Sequence, residues 1–377
     1  MRFPRYFDLA RKGAEHVVAT LWSRLRPAED TALPEPPAEP TLDLEALPVS
    51  LGLALQGGGA HGAFTWGVLD RLLEADRFRI DAFSGASAGA LNAVVAANGL
   101  LAKGPDGARE ALEAFWRKVS AEAAYTPYNP SLFDRMLSGW NQDGSGRQLG
   151  FDIATRLVSP YQFNPLDHNP LRRILVDSID FEMLRRNRRV KLYVAATNIR
   201  TGRAQIFRTG QISPDVLIAS TALPSFNHAV EIDGAHYWDG GFSANPPLIP
   251  LFENASCGDI LLVQIEPPHN DAIPITATEI RTRLAHLTLM APLNRELEAL
   301  RWIEKMANPS RKGNGEAPGL RMHRIDSGDA LSPLGQFSKL NPDWGLLQHV
   351  RDIGRERTEA WLSRKAPHVG TRATFRI

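Results

Sequence analysis

Twice in quick succession the chain passes from a short apolar run through glycines into a helix-forming stretch. Leu51 to Leu55 leads into Gly57-Gly58-Gly59-Ala60-His61-Gly62 and a helical pattern from Ala63 to Glu74. Ile80 to Phe83 leads into Gly85-Ala86-Ser87-Ala88-Gly89 and a second helical pattern from Ala88 to Ala97. Short buried strands that alternate with amphipathic helices define an α/β class. The strand, helix and strand from Leu51 to Phe83 form a βαβ unit, whose strands are expected to be parallel neighbours with their C-terminal ends side by side. Open α/β sheets bind their ligands at that edge.

Other elements follow the same logic. A helix is expected at Leu171 to Ile179, strands at Val190 to Thr197 and Ala204 to Phe207, and a hairpin turning at Asp233-Gly234. A buried strand is expected at Asp259 to Ile265, with helices at Glu279 to Met306 and Asp352 to Leu362. Residues 120 to 170 scatter Tyr125, Tyr128, Phe133, Trp140, Tyr161 and Phe163 among prolines and glycines without a period. Such an excursion is either a lid or a surface insertion.

The first 48 residues differ in kind. Residues 1 to 26 place Phe3, Phe7, Ala10, Ala14, Val17 and Leu21 at helical spacing with Arg5, Arg11, Lys12 and Arg24 largely on other faces. This amphipathic basic helix either makes a peripheral membrane contact or docks on its own domain. Residues 27 to 48 hold six prolines and six acidic residues with no basic one, the composition of an extended tether. The domains expected are therefore 1–26, 27–48, a catalytic unit at 49–265 and a helical C-terminal extension at 266–377.

Basic and acidic residues balance at 43 to 42, so no bulk field draws nucleic acid, and none is expected as a partner. No apolar run reaches the ~18 residues of a membrane span, and Val17 to Trp22 is too short for a secretory h-region. Cytoplasmic residence is the expectation. The single cysteine, Cys257, excludes an intramolecular disulfide and reads as a small buried residue.

Ser87 sits where a strand turns sharply into a helix, the setting that exposes a serine hydroxyl and points it at the positive helix end. The same position also suits a helix N-cap. The amides of Gly57 to Gly59 form a concave nest at the start of another helix, fit for a nucleotide phosphate or for an oxyanion. A dinucleotide site needs an acidic residue at the end of the next strand, and the chain places Ser87 there. Backbone donors beside a serine hydroxyl are what acyl transfer requires. For the base, Asp239-Gly240-Gly241 is preferred to Asp233, because Asp239 ends a strand and Asn245-Pro246-Pro247 beyond it does not resume one.

These three segments, in this order, resemble the signature of the patatin-like phospholipases. Asn169 to Leu175, Val194 to Asn198 and Ala219 to Phe226 resemble further stretches of that family, over residues 49 to about 265. The resemblance implies a three-layer sandwich with a mostly parallel central sheet flanked by helices. It implies Ser87 as nucleophile, Asp239 as general base, Gly57, Gly58 and Gly59 as oxyanion hole, and a lipid or acyl ester as substrate. His61, Gly62, Gly85, Gly89, Gly240 and Gly241 support the motifs. The family usually carries Arg or Lys where this chain has His61. Histidine, with an ordinary pKa of about 6.5, attracts a phosphate group less at neutral pH and either donates a hydrogen bond near the hole or orders the loop.

No metal-ligand cluster is visible in the sequence, so no cofactor is expected and activity should not need Ca²⁺. Two alternatives stay open. One is an α/β-hydrolase triad with His269, His286, His323, His349 or His368 as base. The other is a catalytically inactive scaffold held at a membrane by residues 1 to 26.

Overall fold

The computed structural model describes residues 49–123, 140, 141, 143, 150, 155, 157–253, 258–269, 271–307 and 321–376. The expected N-terminal helix and tether, most of the 120–170 excursion and Cys257 lie outside the described residues.

The chain runs β1 (Val49–Leu55), α1 (Ala63–Ala75), β2 (Phe78–Ala86) and α2 (Ala88–Ala123), then α3 (Pro170–Val176), β3 (Lys191–Asn198) and β4 (Ala204–Arg208). It continues through α4 (Pro214–Thr221), β5 (Val230–Ile232), β6 (Ala235–Asp239), β7 (Asp259–Gln264), α5 (Ala277–Ala307), β8 (Arg321–Asp326) and α6 (Trp344–Arg364). The strands form one mixed sheet in the order β5-β6-β3-β2-β1-β7-β8, with β4 paired to β3. The strands from β3 to β8 in that order are parallel, and the pairings β3–β4, β3–β6 and β5–β6 are antiparallel.

Alternation along the strands decides the layering. Leu51, Leu53 and Leu55 of β1, with Leu261 and Val263 of β7, enter one core with α1, α2 and α6. Ala54, Ile260 and Leu262 face the other side, where Met290, Leu293 and Leu300 of α5 cover them. Both faces of the parallel strands are therefore buried, which is why they read as continuous apolar runs.

The βαβ unit forms as expected, with Leu55 of β1 opposite Gly85 of β2. Two elements differ from the sequence expectation. Residues 266–377 are more than a helical extension, since β8 pairs with β7 and lengthens the sheet. The helix expected to end at Ala97 runs to Ala123, broken only where Lys103 and Gly104 leave helical geometry before Pro105.

Candidate functional site

Strand register brings the two candidate residues together. Ala86, the last residue of β2, lies opposite Ala195 of β3, and the next residue of β3, Ala196, lies opposite Asp239 of β6. Ser87 and Asp239 thus stand at the same level of the sheet with one strand between them, although they are far apart in the chain.

Ser87 turns the chain from β2 into α2 with φ +53, a left-handed conformation rare for a residue with a Cβ. Its carbonyl accepts the amides of Ala90 at 2.9 Å and Leu91 at 3.2 Å, and its own amide donates to Ser220 Oγ at 3.0 Å. Backbone bonds on both sides hold the strained turn. The residue keeps partial exposure while its neighbours Ala86 and Ala88 are buried.

Asp239 is 3% exposed. Its Oδ1 accepts the Gly241 amide at 2.7 Å, its amide donates to Ala222 O at 2.9 Å, and Thr197 Oγ1 donates to its carbonyl at 2.7 Å. Oδ2 is buried and makes no formed hydrogen bond. Burial pushes the carboxyl up to about 6, and the Ser87 hydroxyl and Gly241 amide act against that rise. The hydroxyl therefore lies close enough to influence the carboxyl, although no hydrogen bond between them is formed.

The glycine loop lies directly beside this pair. A Cβ at Gly57 would stand 2.5 Å from Ala86 O and 2.8 Å from Ser87 Cβ, so only glycine admits the loop there. At Gly59, φ is +59 and a Cβ would meet Lys339 O at 2.4 Å. The three amides are not equivalent. Gly57 N donates to Asn245 Oδ1 at 2.7 Å and so has a partner within the protein. The amides of Gly58 and Gly59 make no hydrogen bond within the described residues. Gly62 and Gly89 take their places at the starts of α1 and α2, Gly85 lies in β2, and Gly240 and Gly241 form the turn after Asp239.

His61 is buried, and its Nε2 lies 2.7 Å from Ser338 Oγ. Ser338 Oγ also lies 2.8 Å from Gly335 O. Burial, with the nearby Lys339 charge second, pushes the imidazole down to about 3. His61 is neutral at neutral pH and ties the glycine loop to the turn at Phe337–Leu340.

Asn245, Ser220 and Gln56 are not candidate site residues by sequence, yet each holds part of this frame. Gln56 Oε1 accepts the amides of Ile265 and Glu266, both at 2.8 Å, and so joins the ends of β1 and β7. Among the described residues, no group of three or more His, Cys, Asp and Glu side chains has the arrangement of a metal site, and no helix is long and apolar enough to cross a membrane.

The fold is that of the patatin-like phospholipases: that family matches residues 53–252, and the chain belongs to it. The family supports a lipid acyl hydrolase. No curated protein matches the sequence. Among solved structures, VipD from Legionella pneumophila is 16% identical with a TM-score of 0.43, over 84% of this chain and 66% of that one. ExoU of Pseudomonas aeruginosa, solved in complex with SpcU, is 16% identical with a TM-score of 0.29, over 83% of this chain and 52% of that one. The chain thus corresponds to just under two thirds of the first and about half of the second.

Proposed function

We propose that the protein is a serine acyl-ester hydrolase of the phospholipase A or lysophospholipase type, working through a Ser87–Asp239 dyad. The observation that carries this is a buried carboxyl with one unpartnered oxygen beside a serine held in a left-handed turn.

In the first step the Ser87 oxygen bonds to the ester carbonyl carbon while its proton passes to Asp239 Oδ2. The carbonyl oxygen becomes an oxyanion facing the amides of Gly58 and Gly59. Collapse breaks the ester bond, and Asp239 returns the proton to the leaving alkoxide. Water then repeats the sequence on the acyl-enzyme: Asp239 takes its proton, the fatty acid leaves, and Ser87 regains its hydroxyl. A carboxylate near its solution pKa is a poor base for this; the raised value at Asp239 improves the match.

The chain's histidines give a triad less support. His323 bonds Asp259 at 2.9 Å, and Asp259 opens β7 at the opposite edge of the sheet from Ser87. Both ring nitrogens of His286 have partners, at Pro267 O and Arg283. His349 stacks on Trp140, and His368 bonds Arg372. Ser87→Ala and Asp239→Asn should each lose essentially all ester hydrolysis while remaining folded. Full activity in either variant would remove the dyad.

A further inference from the structure

A cavity of about 680 Å³ opens at the end of the sheet opposite the candidate site, where β1, β2 and β3 begin. β2 runs from Phe78 to Ala86, so a strand about 25 Å long separates the cavity from Ser87. The two helices over this face both stop at it. α1 ends at Ala75 and turns away through Asp76 in the left-handed region, and α2 breaks at Lys103 and Gly104 before Pro105. At Gly104 a Cβ would meet nothing within 4 Å, so the break faces open space and not a packed neighbour.

Two kinds of residue line the cavity. Its inner wall is aliphatic: Leu51, Leu72, Leu73, Ile80 and Val190 are buried, with Leu101 of α2 half-buried beside them. Its rim is charged, with Arg79, Arg188, Arg189 and Lys191 against Asp76 and Asp81. Asp81 already accepts from Arg79 at 2.8 Å and has Lys191 near it. Arg188 and Arg189 are exposed, and neither guanidinium has a hydrogen-bond or ion-pair partner among the described residues.

We propose that this cavity binds a single-chain alkyl anion, with its chain along the aliphatic wall and its carboxylate or phosphate head on Arg188 and Arg189. The volume falls among those of small-molecule sites, which are largely apolar with a few polar groups that fix orientation. The wall decides against other anions. A nucleobase, a sugar or a peptide backbone placed there would give up hydrogen bonds to water and find no donor or acceptor among those aliphatic side chains, whereas an alkyl chain gives up none. An added peptide strand has no edge to pair with, since β1, β2 and β3 each carry a strand on both sides. At the rim, a guanidinium presents the planar fork that a carboxylate or phosphate accepts bidentately. The ligand class follows from this lining and stands whether or not Ser87 is a nucleophile.

The test is fluorescence titration of the full chain with cis-parinarate, a linear carboxylate, followed by displacement below micellar concentration with dodecanoate, dodecyl phosphate or dodecyltrimethylammonium. Either anion should displace the probe, the stronger one identifying the head group, and the cation should not. Arg188→Glu/Arg189→Glu reverses two exposed charges and should weaken parinarate binding about tenfold or more. Leu101→Trp narrows the cavity from a half-buried position and should weaken it comparably. The arginine variant should keep its melting temperature and its hydrolysis of soluble p-nitrophenyl butyrate, because both positions are exposed and lie at the far end of the sheet from Ser87. Parinarate binding that is absent, or unchanged in both variants because the chain sits elsewhere, at the candidate acyl site included, would overturn the proposal. Equal displacement by dodecyltrimethylammonium would overturn it too, by removing the preference for an anion. Variant-sensitive binding by a protein that hydrolyses no ester would keep the cavity's role and remove the dyad instead.

Discussion

The side chain of Asn245 accepts the amide of Gly57 at 2.7 Å, fastening the turn that follows Asp239 to the glycine loop beside Ser87. One hydrogen bond thereby fixes the candidate base and the candidate oxyanion donors in a common frame. It also gives the Gly57 amide a partner, while those of Gly58 and Gly59 make no hydrogen bond within the described residues.

Asn245→Ala should therefore orphan a buried N–H, a loss of ~1–3 kcal/mol, and let the loop shift. Acting through the loop, it should lower kcat by roughly 10- to 100-fold, less than the loss of an oxyanion donor itself, with KM moving little. Asn245→Asp, which keeps an acceptor at the same place, should recover part of the loss. Steady-state kinetics on a soluble ester decide it: an equal loss in both variants would remove the positioning role.

The base acts only when ionised. With Asp239 raised to about 6 by burial, kcat/KM should climb through pH 6 and level off above it. A pH–rate profile with its lower inflection near 4 would mean that the carboxyl is solvated and not buried as described.

The same group sets a stability cost. Its folded pKa of about 6 exceeds the ordinary 3.8, so the folded state binds the proton more tightly than the unfolded chain. Stability from this group is full below about 3.8 and declines as pH rises through about 6. Asp239→Asn should then be inactive and, at pH 7 to 8, more stable by ~1–3 kcal/mol. Thermal melts of the two proteins check this, and a variant that melts lower would contradict it.

At position 61 the protein needs a neutral hydrogen-bonding side chain. His61 is buried beside Lys339 and bonded to Ser338. His61→Arg would put a guanidinium that cannot deprotonate into that place, at a cost of roughly 3 kcal/mol or more. His61→Gln keeps a donor and should cost less. Denaturant midpoints that rank the two the other way would mean the pocket opens to water.

What was legible in the sequence is what local rules govern. The glycine turns after β1 and β2 and the hairpin at Asp233-Gly234, whose φ values are +50 and +76, follow from residue type and neighbours. Asp239 could be picked as the base for Ser87 from its place at the end of a strand, but the register of β3 that sets the two at one level of the sheet is a tertiary property and was not legible. β8 went unseen because Arg321, His323, Arg324 and Asp326 hide its strand pattern. It is held by contacts across the sheet, with Arg321 Nη2 and His323 Nε2 meeting Asp259 at 2.7 Å and 2.9 Å. Asn245 and Ser220 carry no motif of their own that names their partners.

The most direct measurement is intact-protein mass spectrometry after treatment with a fluorophosphonate, followed by peptide mapping. The account predicts one adduct, on Ser87, formed quickly in the parent protein, slowed strongly by Asp239→Asn and absent in Ser87→Ala. An unlabelled protein, or an adduct that survives Ser87→Ala, would contradict it.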